Sequence, residues 1–180
     1  MTLQTWTLLL ALLACLGGLP ALLAPGPTSR ALRGLCRNRW ADIVLSTLAL
    51  AWAGWLLYAL PLEFLQPYRK YIPFVMLAAI PFTWYAMPDL LAARAIGGLL
   101  VLLPAPVLQV ARVHPSAWRL VIVSLMYLYA VAGMTLIMAP YFLRDLLAWL
   151  AGNDTRLRIC GAAHLAAAAV LAWMALVAFA

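Results

Sequence analysis

Charge is the scarcest property of this chain. Lysine, arginine, aspartate and glutamate together supply 9% of its 180 residues, against about a quarter in soluble domains. A surface of ordinary polarity cannot be assembled from so few groups. Acidic residues are limited to Asp42, Glu63, Asp89, Asp145 and Asp154, and lysine to Lys70. Nearly all positive charge is therefore arginine, which together with the alanine, leucine and proline richness fits a GC-rich bacterial genome. Cys15, Cys36 and Cys160 form no CxxC pair, so neither a disulfide framework nor a zinc site is implied. Also missing are the GxSxG elbow of a serine hydrolase, the HExxH helix of a zinc protease and a Walker loop. The sequence thus carries no catalytic, metal or cofactor motif, and the reading leans away from an enzyme.

What is abundant is apolar surface. Hydrophobic residues make up 68% of the chain and the mean hydropathy is +1.01. A bilayer core takes about 20 consecutive apolar residues per helix, and the chain divides into stretches of that kind at short polar or proline-marked breaks. The expected fold is all-α: a polytopic integral membrane protein, one membrane domain over 1–180, with about six transmembrane helices. The apolar windows fall at about 5–24, 41–60, 72–87, 90–111, 120–139 and 159–180. Pro25, Pro61, Pro73, Pro88 and Pro140 lie where helices should start or stop.

A net charge of +7 in a soluble protein would suggest nucleic acid. Here the basic residues sit in short loops beside apolar spans, which points instead to anionic lipid head groups. In the segment 29–40, Arg30, Arg33 and Arg37 share a helical face, with Arg39 close by, while Leu32, Leu35 and Cys36 tend to another. That pattern suits a helix lying on an anionic leaflet, with these four arginines on head groups. The segment 141–150 is read either as a second interfacial helix or as an extension of the fifth span. Arg30, Arg33, Arg37, Arg39, Arg94, Arg144, Arg156 and Arg158 collect on one side, and Arg69, Lys70, Arg112 and Arg119 on the other. Because positive loops stay inside, both termini are expected outside a bacterial cytoplasmic membrane.

Sliding the chain against itself by about 79 residues lays Trp40 to Ser46 over Trp118 to Ser124, and Gly17-Gly18 close to Gly97-Gly98. With one inserted residue, Ala53-Gly54 meets Ala132-Gly133 and Pro61 meets Pro140. Two halves of three helices, 1–80 and 81–180, would enter the membrane in opposite directions and form a 3+3 inverted-topology repeat. Gly17, Gly18, Gly97 and Gly98 are the candidate helix breaks in such a repeat. Helices 3 and 6 show no clear match, and apolar spans align with one another easily.

Intramembrane ionisable groups are functional candidates because placing them there is costly. Asp89 and Arg94 open the fourth span, where a carboxylate complements the helix dipole and an arginine reaches the head groups. Asp42 has the same capping role at the start of the second span. His164 is expected about one turn into the sixth, among Gly161, Ala162, Ala163 and Ala166, where close helix packing and an interhelical hydrogen bond are available. His114 falls in a loop at the opposite side, so joint ligation of a metal or haem is not expected.

Three functions follow in order. The first is a non-catalytic subunit of a membrane complex, or a scaffold assembling with itself. Next comes a small-solute or ion transporter built on the inverted repeat. Last is a lipid-modifying enzyme using arginines as head-group clamps. The bilayer and its anionic lipids are the expected partners, with other membrane subunits or further copies, and without nucleic acid.

Overall fold

The computed structural model describes residues 2–35, 38–59, 63–87 and 90–179. All elements there are helical, and five helical segments are long and apolar enough to cross a membrane. The chain is an all-α membrane protein. In none of these five spans is more than 39% of the apolar window buried within the fold. Large side chains such as Leu12, Leu13, Leu16, Phe74, Phe82 and Met138 stand exposed around it, and so much outward apolar surface requires lipid or protein rather than water.

The first span, α1 (Leu3–Leu23), starts two residues earlier than its hydropathy suggests, because the Thr2 hydroxyl accepts the Thr5 N–H at 3.3 Å. It ends where Ala24 leaves helical geometry, and Thr28 Oγ1 donates to the carbonyls of Pro20 and Ala24 at 2.9 and 2.8 Å. Helix α2 (Pro25–Leu35) follows at once. The surface helix expected at 29–40 is therefore shifted towards the N-terminus, since prolines at the head of a helix forfeit only N–H groups that have no intrahelical partner. Arg37 lies outside the described residues.

Next come α3 (Arg39–Ala59), a 3-10 segment (Glu63–Tyr71) and α4 (Ile72–Ala86). The third expected span is thus a helix of 15 residues with no buried residue. Its length, about 22 Å, is short of the roughly 30 Å hydrocarbon layer. It packs chiefly on α3, at the edge of the molecule.

The fourth span is divided into α5 (Leu91–Leu102) and α6 (Pro104–Arg112). Pro104 has no N–H for the helical ladder and ends α5. The interruption therefore falls at Leu103–Pro104, and α5 passes through Gly97 and Gly98 without a break, as α1 does through Gly17 and Gly18. Helix α7 (Arg119–Met138) is followed across Pro140 by α8 (Tyr141–Ala151), a separate amphipathic helix.

The last span, α9 (Asp154–Trp173), continues through a π-helical turn (Met174–Ala178). Its first turn is polar and is capped by Asn153, whose Oδ1 accepts the Thr155 N–H at 2.8 Å. This start lies five residues before the one expected from hydropathy.

Helices α1 and α9 pack along each other, α5 packs with α7, and α3 joins α5 to α4. A buried core of Leu3, Leu10, Val107, Ala111, Ile122, Met126, Leu171 and Met174 ties α1, α6, α7 and the end of α9 together. The opposite end is closed by α2 against α8, where a guanidinium nitrogen of Arg33 donates to the Ala151 carbonyl. That places a cation on the C-terminal carbonyls of α8, where the helix dipole is negative.

Candidate functional site

The two principal helix pairs are built in the same way. A Cβ on Gly18 would lie 2.8 Å from the Gly161 carbonyl oxygen, and one on Gly161 would lie 2.8 Å from the Gly18 oxygen. In the second pair a Cβ on Gly97 would stand 2.8 Å from Gly133 O, and one on Gly133 would stand 2.6 Å from Gly97 O. Helices in lipid gain no hydrophobic advantage from meeting each other, so close backbone contact at small residues supplies the attraction. Gly18 and Gly97 are crossing points. Gly17 and Gly98, one residue away, are not: their added Cβ atoms would meet His164 Cδ2 and Ala49 Cβ at the ordinary distances of 4.0 and 3.9 Å.

Beside the second pair, α3, α5 and the end of α4 line an open cleft of about 580 Å³. Its walls are almost wholly apolar, with Ala49, Leu50, Ala53, Leu91, Ala95 and Val101 among them. Three polar side chains reach it: Ser46, Thr83 and Arg94. Ser46 donates to Ile43 O at 3.2 Å and accepts from Trp84 Nε1 at 3.1 Å, and Thr83 donates to Ala79 O at 2.7 Å. Arg94 differs: its Nε is buried and has no hydrogen-bond partner among the described residues. It stands three residues into α5, about 5 Å along the axis, at the end where α2 and α8 lie.

The turn leading into α5 is strained. Leu90 is left-handed, with φ 54° and ψ 33°, a conformation costing a non-glycine residue about 1–2 kcal/mol. Leu90, at the N-cap, makes no side-chain hydrogen bond to α5. Instead Asp42 Oδ1, from the first turn of α3, accepts the Ala92 N–H at 2.7 Å. Asp42 was expected to cap the start of its own helix, but its carboxylate reaches across to another. It neutralises the positive end of α5 and fixes α3 against it. Asp89, the other acid expected here, lies outside the described residues.

His164 is the other polar group embedded in a span. Because α9 begins at Asp154, the residue stands about 15 Å along the helix, deeper than the single turn expected from the sequence. Its Nδ1 lies 2.9 Å from Cys160 O, four residues back, and 3.6 Å from Cys160 Sγ. In the tautomer that donates Nδ1–H to this carbonyl, Nε2 carries a bare lone pair. His164 borders the α1 contact, since an added Cβ on Gly18 would lie 3.1 Å from its Cβ and one on Gly17 would lie 4.0 Å from its Cδ2. The residue is nevertheless exposed, as are Ala163 and Ala167 on the same flank, whereas Gly161 is turned inward onto α1.

No family model, no curated protein and no solved structure matches this chain.

Of the surface arginines expected on lipid head groups, Arg30 and Arg39 are exposed, and Arg33 is engaged on α8. Arg156 lies over the Trp149 ring at 4.5 Å, and Arg144 binds its neighbour Asp145 at 2.9 Å. At the far end Arg119 donates to His114 O at 2.6 Å, and His114 packs edge-on to Phe179. This histidine is a fastening between the α6–α7 loop and the chain end. The cleft reaches Gly98 but neither Gly17 nor Gly18, which belong to the α1–α9 contact. Sequence reasoning missed the cleft itself and the reach of Asp42, because both arise from residues about 50 positions apart brought together by packing.

Proposed function

We propose that this protein is a non-catalytic membrane scaffold that assembles laterally, with further copies of itself or with other membrane subunits, through the exposed flank of α9 that borders α1. The observation that carries this reading is His164, an exposed residue near the middle of a span whose Nδ1 is engaged on Cys160 O while Nε2 has no hydrogen bond among the described residues. A ring nitrogen left without a partner in hydrocarbon is costly. A second transmembrane helix can bring a donor to it, and the neighbouring exposed alanines allow that helix to approach closely.

In this reading α4, together with the 3-10 segment before it, makes a sixth crossing, and both termini face outside a bacterial cytoplasmic membrane. The arginine-rich end carrying α2 and α8 faces inward, as the retention of positive loops requires. The halves 1–80 and 81–180 are read as an inverted repeat. In support, Gly18 and Gly97, and likewise Gly54 and Gly133, correspond in sequence, and at all four an added Cβ would press on a neighbouring helix. Their partners differ, since Gly18 meets Gly161 and Gly54 meets Met76.

Cysteines introduced at Ala163 and Ala167, in a background with the native cysteines replaced, test the assembly in intact membranes. Oxidative cross-linking to a second copy or to a distinct membrane protein is expected, and His164→Leu should reduce its yield. A protein that stays monomeric and un-cross-linked in its native membrane removes the scaffold reading.

A further inference from the structure

We propose that the cleft beside Arg94 is a binding site for one anionic membrane lipid, with the lipid phosphate on the guanidinium and an acyl chain along the apolar trough. This inference is independent of assembly through α9, which uses another face of the molecule.

Three observations fix the occupant's chemistry. First, the cleft volume of about 580 Å³ lies within the range of small-molecule sites, while its walls offer an apolar chain nothing but methyl and methylene surface along most of their length. Second, the polar groups of the lining other than Arg94 are already committed: Ser46 to Ile43 and Trp84, and Thr83 to Ala79. The Asp42 carboxylate is engaged on Ala92 N–H. Among the described residues of the lining, only Arg94 has a side-chain donor without a partner, its Nε, and a planar guanidinium fits the paired oxygens of a phosphate. Third, the depth agrees with a lipid. Arg94 sits within the first turn of α5, and the trough runs from there past Gly98 to Leu102, about 12 Å along the helix axis. A phospholipid of the leaflet at the α2–α8 end would place its phosphate and first chain segment over this interval. The cleft is open rather than enclosed, and its walls belong to candidate spans α3 and α5, which gives a lipid of the bilayer a way in.

Ligand choice follows from the same geometry. A zwitterionic head group leaves its own cation beside Arg94 and binds more weakly. Free phosphate gains the guanidinium but not the trough.

The test uses the full-length protein in mild detergent. Thermal unfolding is followed with added phosphatidylglycerol, phosphatidylcholine of identical chains, or inorganic phosphate, and native mass spectrometry counts the bound lipid. One phosphatidylglycerol per protein is expected, with at least about tenfold weaker binding of phosphatidylcholine and no comparable shift from phosphate. Arg94→Leu should lose at least about tenfold in phosphatidylglycerol affinity, and Arg94→Lys should lose less. Gly98→Leu provides a second arm, because its side chain fills the trough and leaves the cation in place. It should abolish retention of the lipid in a protein that still unfolds cooperatively. Equal binding of the two lipids overturns the proposal, as does undiminished binding in folded Arg94→Leu and Gly98→Leu proteins. Full stabilisation by phosphate alone, or a polypeptide cross-linked into the cleft in place of lipid, also overturns it.

Discussion

The α1–α9 and α5–α7 pairs share one contact chemistry and sit in different surroundings. In each, two glycines meet so closely that a methyl group on either would strike the other's carbonyl. The α1–α9 pair is fastened at one end by α2 and α8 and at the other by the buried core. The α5–α7 pair has α3 beside it and the Arg94 cleft along its flank. Glycine contact sets the distance between two helices in both cases. What the pair then does depends on whether the neighbouring surface is filled, as around Gly18, or left open, as around Gly98.

The comparison breaks most severely at the crossings. Gly161→Ala and Gly133→Ala should each destabilise the protein by about 1–3 kcal/mol, because the opposing atoms are backbone and cannot rotate away. Thermal unfolding in detergent should show the two losses to be alike. If Gly133→Ala were harmless while Gly161→Ala was not, the pairs would not be equivalent.

Asp42→Ala should rank next, at about 1–2 kcal/mol, since it uncaps α5 and detaches it from α3. Asp42→Asn keeps an acceptor oxygen and should recover a good part of the loss. An Asp42→Ala protein as stable as the parent would remove the cross-helix cap from the account.

Gly54→Ala should cost less than the crossing substitutions, below about 1.5 kcal/mol. The atoms its methyl would meet belong to Met76, an unbranched side chain able to turn aside. The smallest effect is expected at Gly98→Ala, within about 0.5 kcal/mol, since its added methyl makes only an ordinary contact with Ala49. Measured together, Gly97→Ala and Gly98→Ala separate a packing glycine from a cleft glycine one residue apart. Equal losses at the two would contradict the division.

Much of the fold was legible in the sequence because hydropathy reports directly on which residues must leave water. The apolar windows of spans 1, 2, 4, 5 and 6 correspond to the five long segments of the structure, with ends displaced by a few residues. The largest displacement is at α9, whose start was hidden by Arg156 and Arg158. A polar turn can belong to a membrane helix when it stands among head groups, and the cap at Asn153 marks it. The 72–87 window was strongly apolar but only short, so hydropathy made it resemble the others while its helix is the most exposed of the set.

The candidate site was legible only in part. Arg94 and His164 stood out because an ionisable side chain inside an apolar span is rare. Their meaning depended on distances that no local pattern contains. Glycine doublets at 17–18 and 97–98 suggested helix breaks, since glycine is a poor helix former. In the fold it is Pro104 that interrupts its span, because a missing N–H acts locally. A missing Cβ matters only when another backbone arrives against it.

The sequence by itself determined that this chain is helical, apolar and divided into membrane-spanning segments, because those properties follow from composition and from the local rules of helix starts and stops. Tertiary structure alone decided which glycines became crossings, that Asp42 would cap a helix other than its own, and that Arg94 would face an open cleft. Each of these depends on the partner helix, and the choice of partner is made by packing over the whole molecule.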